Sequence, residues 1–154
     1  MTEYDTVFAS SVPFDNTRIH AAAVYCSDGR LGEQFDDFMY GELGLHRYDR
    51  LAVPGGAACL AGHFAAYREG EIVASQLEFL ISVHGLRRVV LIAHQDCAFY
   101  SARLDVSPID LVGRQHQDLA KAVERVRSMH HGLEVDAYLA RIADGLIVFD
   151  RSCA

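Results

Sequence analysis

The stretch Ile72–Cys97, IVASQLEFLISVHGLRRVVLIAHQDC, carries a helix signal, a stop signal, a strand and a group of reactive side chains, in that order. We predict a helix over Ile72–His84 that ends at Gly85, because its apolar residues form one stripe: Val73, Leu77, Leu80 and Ile81. The next run, Arg88–Ala93, is the most strand-like of the chain and leads directly into His94-Gln95-Asp96-Cys97. The stretch therefore predicts a helix followed by a strand that delivers potential ligands at its carboxyl end.

Shorter signals on both sides continue this alternation of strands and helices. They predict strands at Ile19–Cys26 and Arg50–Val53, with a helix between them that runs from Leu31 and ends before Gly44. A short helix is predicted from Ser107, followed by a longer one with Leu119, Val123 and Val126 buried. The last predicted element is a hairpin of Val135–Ala143 and Leu146–Asp150 that turns at Asp144-Gly145. Strand–helix–strand order implies right-handed crossovers and parallel pairing, with an antiparallel edge added late. The predicted fold class is α/β, with three layers, a mainly parallel four- to five-stranded sheet and helices on both faces.

Length, composition and charge exclude several classes of protein. A chain of 154 residues with 51% hydrophobic and 23% charged residues is typical of one domain, here residues 1–154. The net charge of −7 argues against nucleic acid as a partner. The longest apolar stretches, Ala21–Cys26 and Val89–Ala93, are far shorter than the roughly 18 residues of a membrane span, so no membrane association is expected. The start, MTEYDTVF, lacks the pattern of a secretory signal, which predicts a cytoplasmic protein with reduced cysteines.

Reactive side chains follow two of the predicted strands, at the edge where open α/β sheets bind ligands. The first strand ends in Cys26-x-Asp28-x-Arg30, and the third leads into His94-x-x-Cys97. Two thiolates and one imidazole suit zinc, and three protein ligands leave its fourth tetrahedral position for water or substrate. Asp28 could reach the metal or its bound water, and Arg30 could hold that carboxylate through a bidentate hydrogen bond. The pattern predicts a catalytic zinc site in which Asp28 and Arg30 take part.

These residues resemble the β-class carbonic anhydrases. The resemblance rests on CSDGR at residues 26–30 and HQDC at residues 94–97, and it extends from about Ile19 to the final hairpin. It implies a β-carbonic anhydrase-like fold, zinc held by Cys26, His94 and Cys97, and an Asp28–Arg30 dyad beside the metal-bound water. It also implies reversible hydration of carbon dioxide to bicarbonate through a metal-bound hydroxide. The family further implies a homodimer or a higher homo-oligomer with active sites at subunit interfaces.

The sequence departs from the family pattern next to the predicted zinc site. Where the family has Arg-Asn-Ala-Gly after the second strand, this chain has Val53-Pro54-Gly55-Gly56-Ala57. We predict that Gly55, Gly56 and Ala57 line the substrate pocket, although the glycines could equally serve only to permit a turn. After the second zinc cysteine, Ala98-Phe99-Tyr100 replaces the usual glycine and adds bulk.

Two other functions stay open at this point. The altered pocket segments are compatible with a hydrolase of carbonyl sulfide or carbon disulfide, which are linear analogues of carbon dioxide. Loss of the Arg-Asn pair is compatible with a catalytically silent zinc-binding paralogue. Of the remaining candidates, Cys59 and Cys153 are assigned no metal, Asp96 is interpreted as the cap of the following helix, and no single histidine is identified as a proton shuttle.

Overall fold

One five-stranded sheet organises the protein, which a computed structural model describes over residues 4–152. The strands are β1 (Ala21–Cys26), β2 (Asp49–Val53), β3 (Arg88–His94), β4 (Glu134–Ala143) and β5 (Leu146–Arg151). Their order across the sheet is β2-β1-β3-β4-β5; β4 and β5 are antiparallel, and the other neighbouring pairs are parallel. The predicted sheet, mainly parallel with a late antiparallel edge, is confirmed. Cys153 lies outside the described residues.

Three longer helices connect the strands: α1 (Gly32–Gly41), α2 (Tyr67–His84) and α3 (Leu111–Arg127). Gly85 ends α2 as predicted, because its φ of +64° is a left-handed conformation that glycine adopts without strain. The chain also forms two short 3-10 helices, Gly56–Leu60 and Phe64–Ala66, and a single π-helical turn, Phe99–Arg103, none of which was predicted. Among the residues from 4 to 152, no helix combines the length and apolar character needed to cross a membrane.

Side chains of the parallel strands alternate between two apolar cores, one on each face of the sheet. Val89 and Leu91 of β3 face a core shared with α2 and α3, whereas Val90 and Ile92 face a core shared with α1. Both faces are covered, which explains why β1 and β3 read as continuous apolar runs rather than as alternating ones. The structure therefore has the predicted three layers.

One predicted helix is absent. The segment from Ser107 was expected to begin a short helix, but residues 108–110 form a turn and α3 begins only at Leu111. The Ser107 hydroxyl donates a hydrogen bond of 2.7 Å to the Asp110 carboxylate, and the Asp110 amide donates to the Ser107 carbonyl at 3.1 Å. The side chain that was expected to cap a helix closes a turn instead.

Candidate metal centre

The site lies where two neighbouring parallel strands end. Cys26 is the last residue of β1, and His94 is the last residue of β3. The helices that follow these two strands lie on opposite faces of the sheet, α1 on one and α3 on the other. Such a switch point leaves a crevice at the carboxyl ends of the strands, and this is where ligands bind in open α/β sheets.

Three potential ligand atoms converge in this crevice. The ligand atoms of Cys26, His94 and Cys97 all lie within 4.8 Å of one another, and the two sulfurs are 4.0 Å apart. Two sulfurs bound to one tetrahedral zinc at about 2.3 Å would be about 3.8 Å apart, so the observed spacing needs almost no adjustment. The structure therefore brings together the three residues that the sequence predicts as ligands.

The His94 ring is oriented to offer one nitrogen to a metal ion. Nδ1 donates a hydrogen bond of 2.7 Å to the Gln95 carbonyl, while Nε2 is buried and has no hydrogen-bond partner among the described residues. A buried nitrogen without a partner is costly, and a metal ion would relieve that cost. The Gln95 side chain in turn accepts a hydrogen bond of 2.8 Å from the Ile142 amide of β4. The hydrogen bond at Nδ1 thus fixes the orientation and the tautomer of the ring, as in metal-binding histidines.

A hydrogen bond between their sulfurs couples the two cysteines. The hydrogen bond from Cys97 lowers the pKa of Cys26 to about 4, although burial opposes this shift. The same bond, together with burial, raises the pKa of Cys97 above its usual range. Backbone amides stabilise negative charge on both sulfurs: those of Gly55 and Asp28 face Cys26, and those of Phe99 and Tyr100 face Cys97. The pair can therefore supply the thiolates that zinc requires.

Asp28 and Arg30 form the predicted ion pair beside the site. Arg30 donates to both carboxylate oxygens, with Nη2 at 2.6 Å from Oδ2 and Nε at 3.0 Å from Oδ1, and its amide also donates to Oδ1 at 3.0 Å. These hydrogen bonds hold the pKa of Asp28 well below its usual range. Over residues 4–152, the group of mutually close ligand atoms comprises the two cysteines and the histidine, without Asp28. The carboxylate is therefore held by Arg30 and not by the ligand cluster.

The glycines after β2 pack tightly against both halves of the site. A Cβ on Gly56, which has a φ of +48°, would lie 2.4 Å from the Tyr25 carbonyl carbon and 2.5 Å from the Cys26 amide nitrogen. A Cβ on Gly55, with a φ of +81°, would lie 2.4 Å from the Phe99 ring. Ala57 is buried in the core that contains α2 and α3. Both glycines thus permit a turn; Gly56 also allows the backbone to approach Cys26 closely, and Gly55 allows it to approach the Phe99 ring.

We expect Gly56→Ala to destabilise the protein by about 2–4 kcal/mol, because it adds a left-handed alanine and a clash with backbone. Gly113→Ala is the matched control, since Gly113 lies in α3 and an added Cβ would have nothing within 4 Å. The free energy of unfolding of that control should rise by about 0.5–1 kcal/mol, because alanine has a lower entropy than glycine in the unfolded chain. Urea unfolding of the two variants checks this pair, and equal stabilities would show that the close approach at Cys26 is not needed.

A cavity of about 180 Å³ opens beside His94 and Arg30. Its wall is largely apolar and includes Leu31, Ala140, Ile142 and Ile147. Sites for drug-sized ligands are larger, about 300–1,000 Å³, so this cavity suits a small molecule.

Asp96 also lines this cavity and has a φ of +56°. The helical turn that follows is preceded by Ala98, and no side chain caps it. The interpretation of Asp96 as a helix cap is wrong, because its left-handed backbone bends the ligand loop instead.

Two buried polar residues near the site are not among the residues that the sequence pattern identifies. Gln115 and Asp118 of α3 are 0% and 1% exposed, and they lie on the buried side of the helix with Leu119 and Ala122. The signal that could have found them is helical spacing, because positions 115 and 118 belong to the stripe that also contains 119, 122 and 126. Polar side chains within such a stripe indicate buried partners.

Comparison with known proteins places these residues in a family context. Residues 16–141 match the model of the family described as "Putative carbonic anhydrase". No curated protein matches the chain. Among solved structures, the chain is similar to the β-carbonic anhydrase CafA of the fungal pathogen Aspergillus fumigatus, with 16% identity, a TM-score of 0.47, and coverage of 89% of this chain and 77% of that one. The family match begins before Cys26 and ends after Cys97, so it includes all three potential ligands.

Proposed function

The chain belongs to this carbonic anhydrase family, and on that premise we propose that it catalyses the reversible hydration of carbon dioxide to bicarbonate, with zinc bound by Cys26, His94 and Cys97. The observation that carries the proposal is the convergence of these three ligand atoms within 4.8 Å, while the Asp28 carboxylate is held separately by Arg30. Zinc bound there would lower the pKa of a bound water to about 7 and so supply hydroxide at neutral pH.

Asp28 supplies the hydrogen-bond acceptor of the reaction in this proposal. Its pKa lies well below the usual range because of the hydrogen bonds from Arg30, so the carboxylate is ionised at neutral pH. An ionised carboxylate only accepts hydrogen bonds, and the bidentate guanidinium fixes the direction of its oxygens. Asp28 can therefore orient the attacking oxygen so that a lone pair faces the substrate.

The cavity beside His94 and Arg30 is the proposed substrate site. Carbon dioxide is small and uncharged, and it would contact the apolar wall formed by Leu31, Ala140 and Ile142. Bicarbonate is more polar than carbon dioxide, and it would leave across the solvent-exposed rim at Arg30, whose side chain is 77% exposed. The chain thus offers apolar contacts for the substrate and a polar rim for the product.

Stopped-flow hydration of carbon dioxide by the zinc-loaded protein tests the proposal. We expect turnover well above the rate given by free zinc at the same pH. Carbonyl sulfide is assayed alongside, because the apolar cavity would also admit this linear analogue. Sulfide release without carbon dioxide hydration would show that the protein is the hydrolase instead. If the zinc-loaded protein shows neither activity, it is the catalytically silent paralogue.

We also propose that the protein works as a homodimer or a larger homo-oligomer. Large apolar side chains in the segment before β1 are strongly exposed: Tyr4, Val7, Phe8, Val12 and Phe14. Several large exposed apolar side chains within one short segment are typical of a segment that contacts a partner. Sedimentation velocity of the full chain should give a mass of at least twice the 17.0 kDa of one chain, and a monomer at micromolar concentration would contradict this proposal.

A further inference from the structure

The middle of α3 contains a buried carboxylate whose bonds lead to the ligand loop. The Tyr100 hydroxyl and His63 Nε2 both lie within hydrogen-bond distance of Asp118 Oδ2, at 2.8 and 2.7 Å. The other oxygen, Oδ1, is buried and has no partner among residues 4–152. Burying a carboxylate with incomplete hydrogen bonding costs stability, so packing alone does not account for an acid at this position.

Tyr100 connects this carboxylate to Cys97. Its side chain is 2% exposed, and its backbone amide donates to the Cys97 carbonyl at 3.1 Å. Phe99 and Tyr100 begin the single π-helical turn Phe99–Arg103, which lies directly after the ligand loop. A single turn has little stability of its own. The hydroxyl bond to Asp118 therefore anchors the turn that is bonded to the Cys97 backbone.

The same face of α3 holds the other end of the ligand loop. Gln115 lies one helical turn before Asp118, and its Nε2 donates a hydrogen bond of 2.6 Å to the His94 carbonyl. Two buried polar side chains of one helix are thus bonded to the two ends of the segment from His94 to Tyr100. This segment contributes two of the three potential ligands.

We infer that Gln115 and Asp118, the latter acting through Tyr100, are positioning residues that hold His94 and Cys97 in the geometry that binds zinc. The inference rests on the zinc site of the proposed function and deepens it. Neither residue touches the ligand atoms. They act through the backbone of the ligand loop, as outer hydrogen-bonding residues of metal sites do.

Zinc affinity of Tyr100→Phe and Gln115→Met, measured by competition with a chromogenic chelator, tests the inference. Each variant removes one hydrogen bond and nearly conserves side-chain volume, and each should bind zinc about 10- to 100-fold more weakly than the wild type. Tyr138→Phe is the matched control, since the Tyr138 hydroxyl is also buried, faces the core that contains α1, and has no partner among residues 4–152. This control should keep wild-type affinity.

A second readout separates positioning from a general loss of stability. With Co²⁺ in place of zinc, the visible absorption bands of Tyr100→Phe and Gln115→Met should shift, because the sulfur and nitrogen ligands are held less firmly. Destabilisation alone would change thermal unfolding of the metal-free protein but not these bands. If Tyr100→Phe does not fold, Gln115→Met carries the test.

Wild-type affinity and unshifted bands in the folded variants would overturn the inference while leaving the zinc site intact. A wild-type protein that binds no zinc would instead overturn the proposed function itself.

Discussion

Cys97→Ala is expected to bind no stoichiometric zinc and to hydrate carbon dioxide no faster than free zinc does. The substitution removes one of three ligands and leaves a site of one thiolate and one imidazole, which is too few for a stable catalytic centre. The loss of affinity should exceed the 100-fold or so that outer hydrogen-bonding residues can cause. Metal analysis after dialysis, together with stopped-flow hydration, measures both effects.

Cys59→Ala provides the matched control for this variant. Cys59 is also a buried cysteine, but its thiol donates a hydrogen bond to the Pro54 carbonyl at 3.4 Å. Burial raises the pKa of this thiol to about 11. Cys59 lies outside the ligand group, so the Cys59→Ala protein should keep its zinc and its activity. A Cys97→Ala protein that retains as much zinc as the wild type would show that the metal is held elsewhere.

Asp28→Ala is expected to keep its zinc and lose most of its activity. The carboxylate is not part of the ligand group, so its removal leaves the three ligands in place. The variant loses the oriented hydrogen-bond acceptor, and positioned acid–base groups contribute about 10²- to 10⁴-fold to turnover. We therefore expect kcat/KM for carbon dioxide to fall by about 10²-fold or more, with unchanged metal content.

Asp150→Ala tests whether loss of any aspartate–arginine pair has this effect. Asp150 pairs with Arg141 on the β4–β5 hairpin, and about half of each side chain is exposed. Such surface pairs contribute about 0–1 kcal/mol to stability, so this variant should retain full activity. Undiminished turnover in Asp28→Ala would remove Asp28 from the mechanism, and zinc loss in that variant would make it a ligand.

Most of the fold could be predicted because its signals are local. The apolar run of β3, the stripe of α2 and the Asp144-Gly145 turn each depend on a few neighbouring residues, and the structure confirms all three. The turn at Ser107 was predicted as a helix because a serine followed by proline suits both structures. What decides between them is the bond from Ser107 to Asp110, which a pattern of residue types does not show.

The ligand group could be predicted because topology brings strand ends together. Cys26 and His94 each end a strand, and β1 and β3 are neighbours in the sheet. The supporting residues could not be predicted in the same way. Asp118 is bonded to His63 and Tyr100, which lie 55 and 18 positions away along the chain. Only tertiary packing determines such partners.

X-ray absorption spectroscopy of the zinc-loaded full chain, combined with metal analysis, identifies the zinc ligands themselves. We expect one zinc per chain, with two sulfur ligands at about 2.3 Å and two nitrogen or oxygen ligands at about 2.0–2.2 Å, one of them exchangeable. A protein that holds no stoichiometric zinc, or a zinc shell with fewer than two sulfurs, would contradict it.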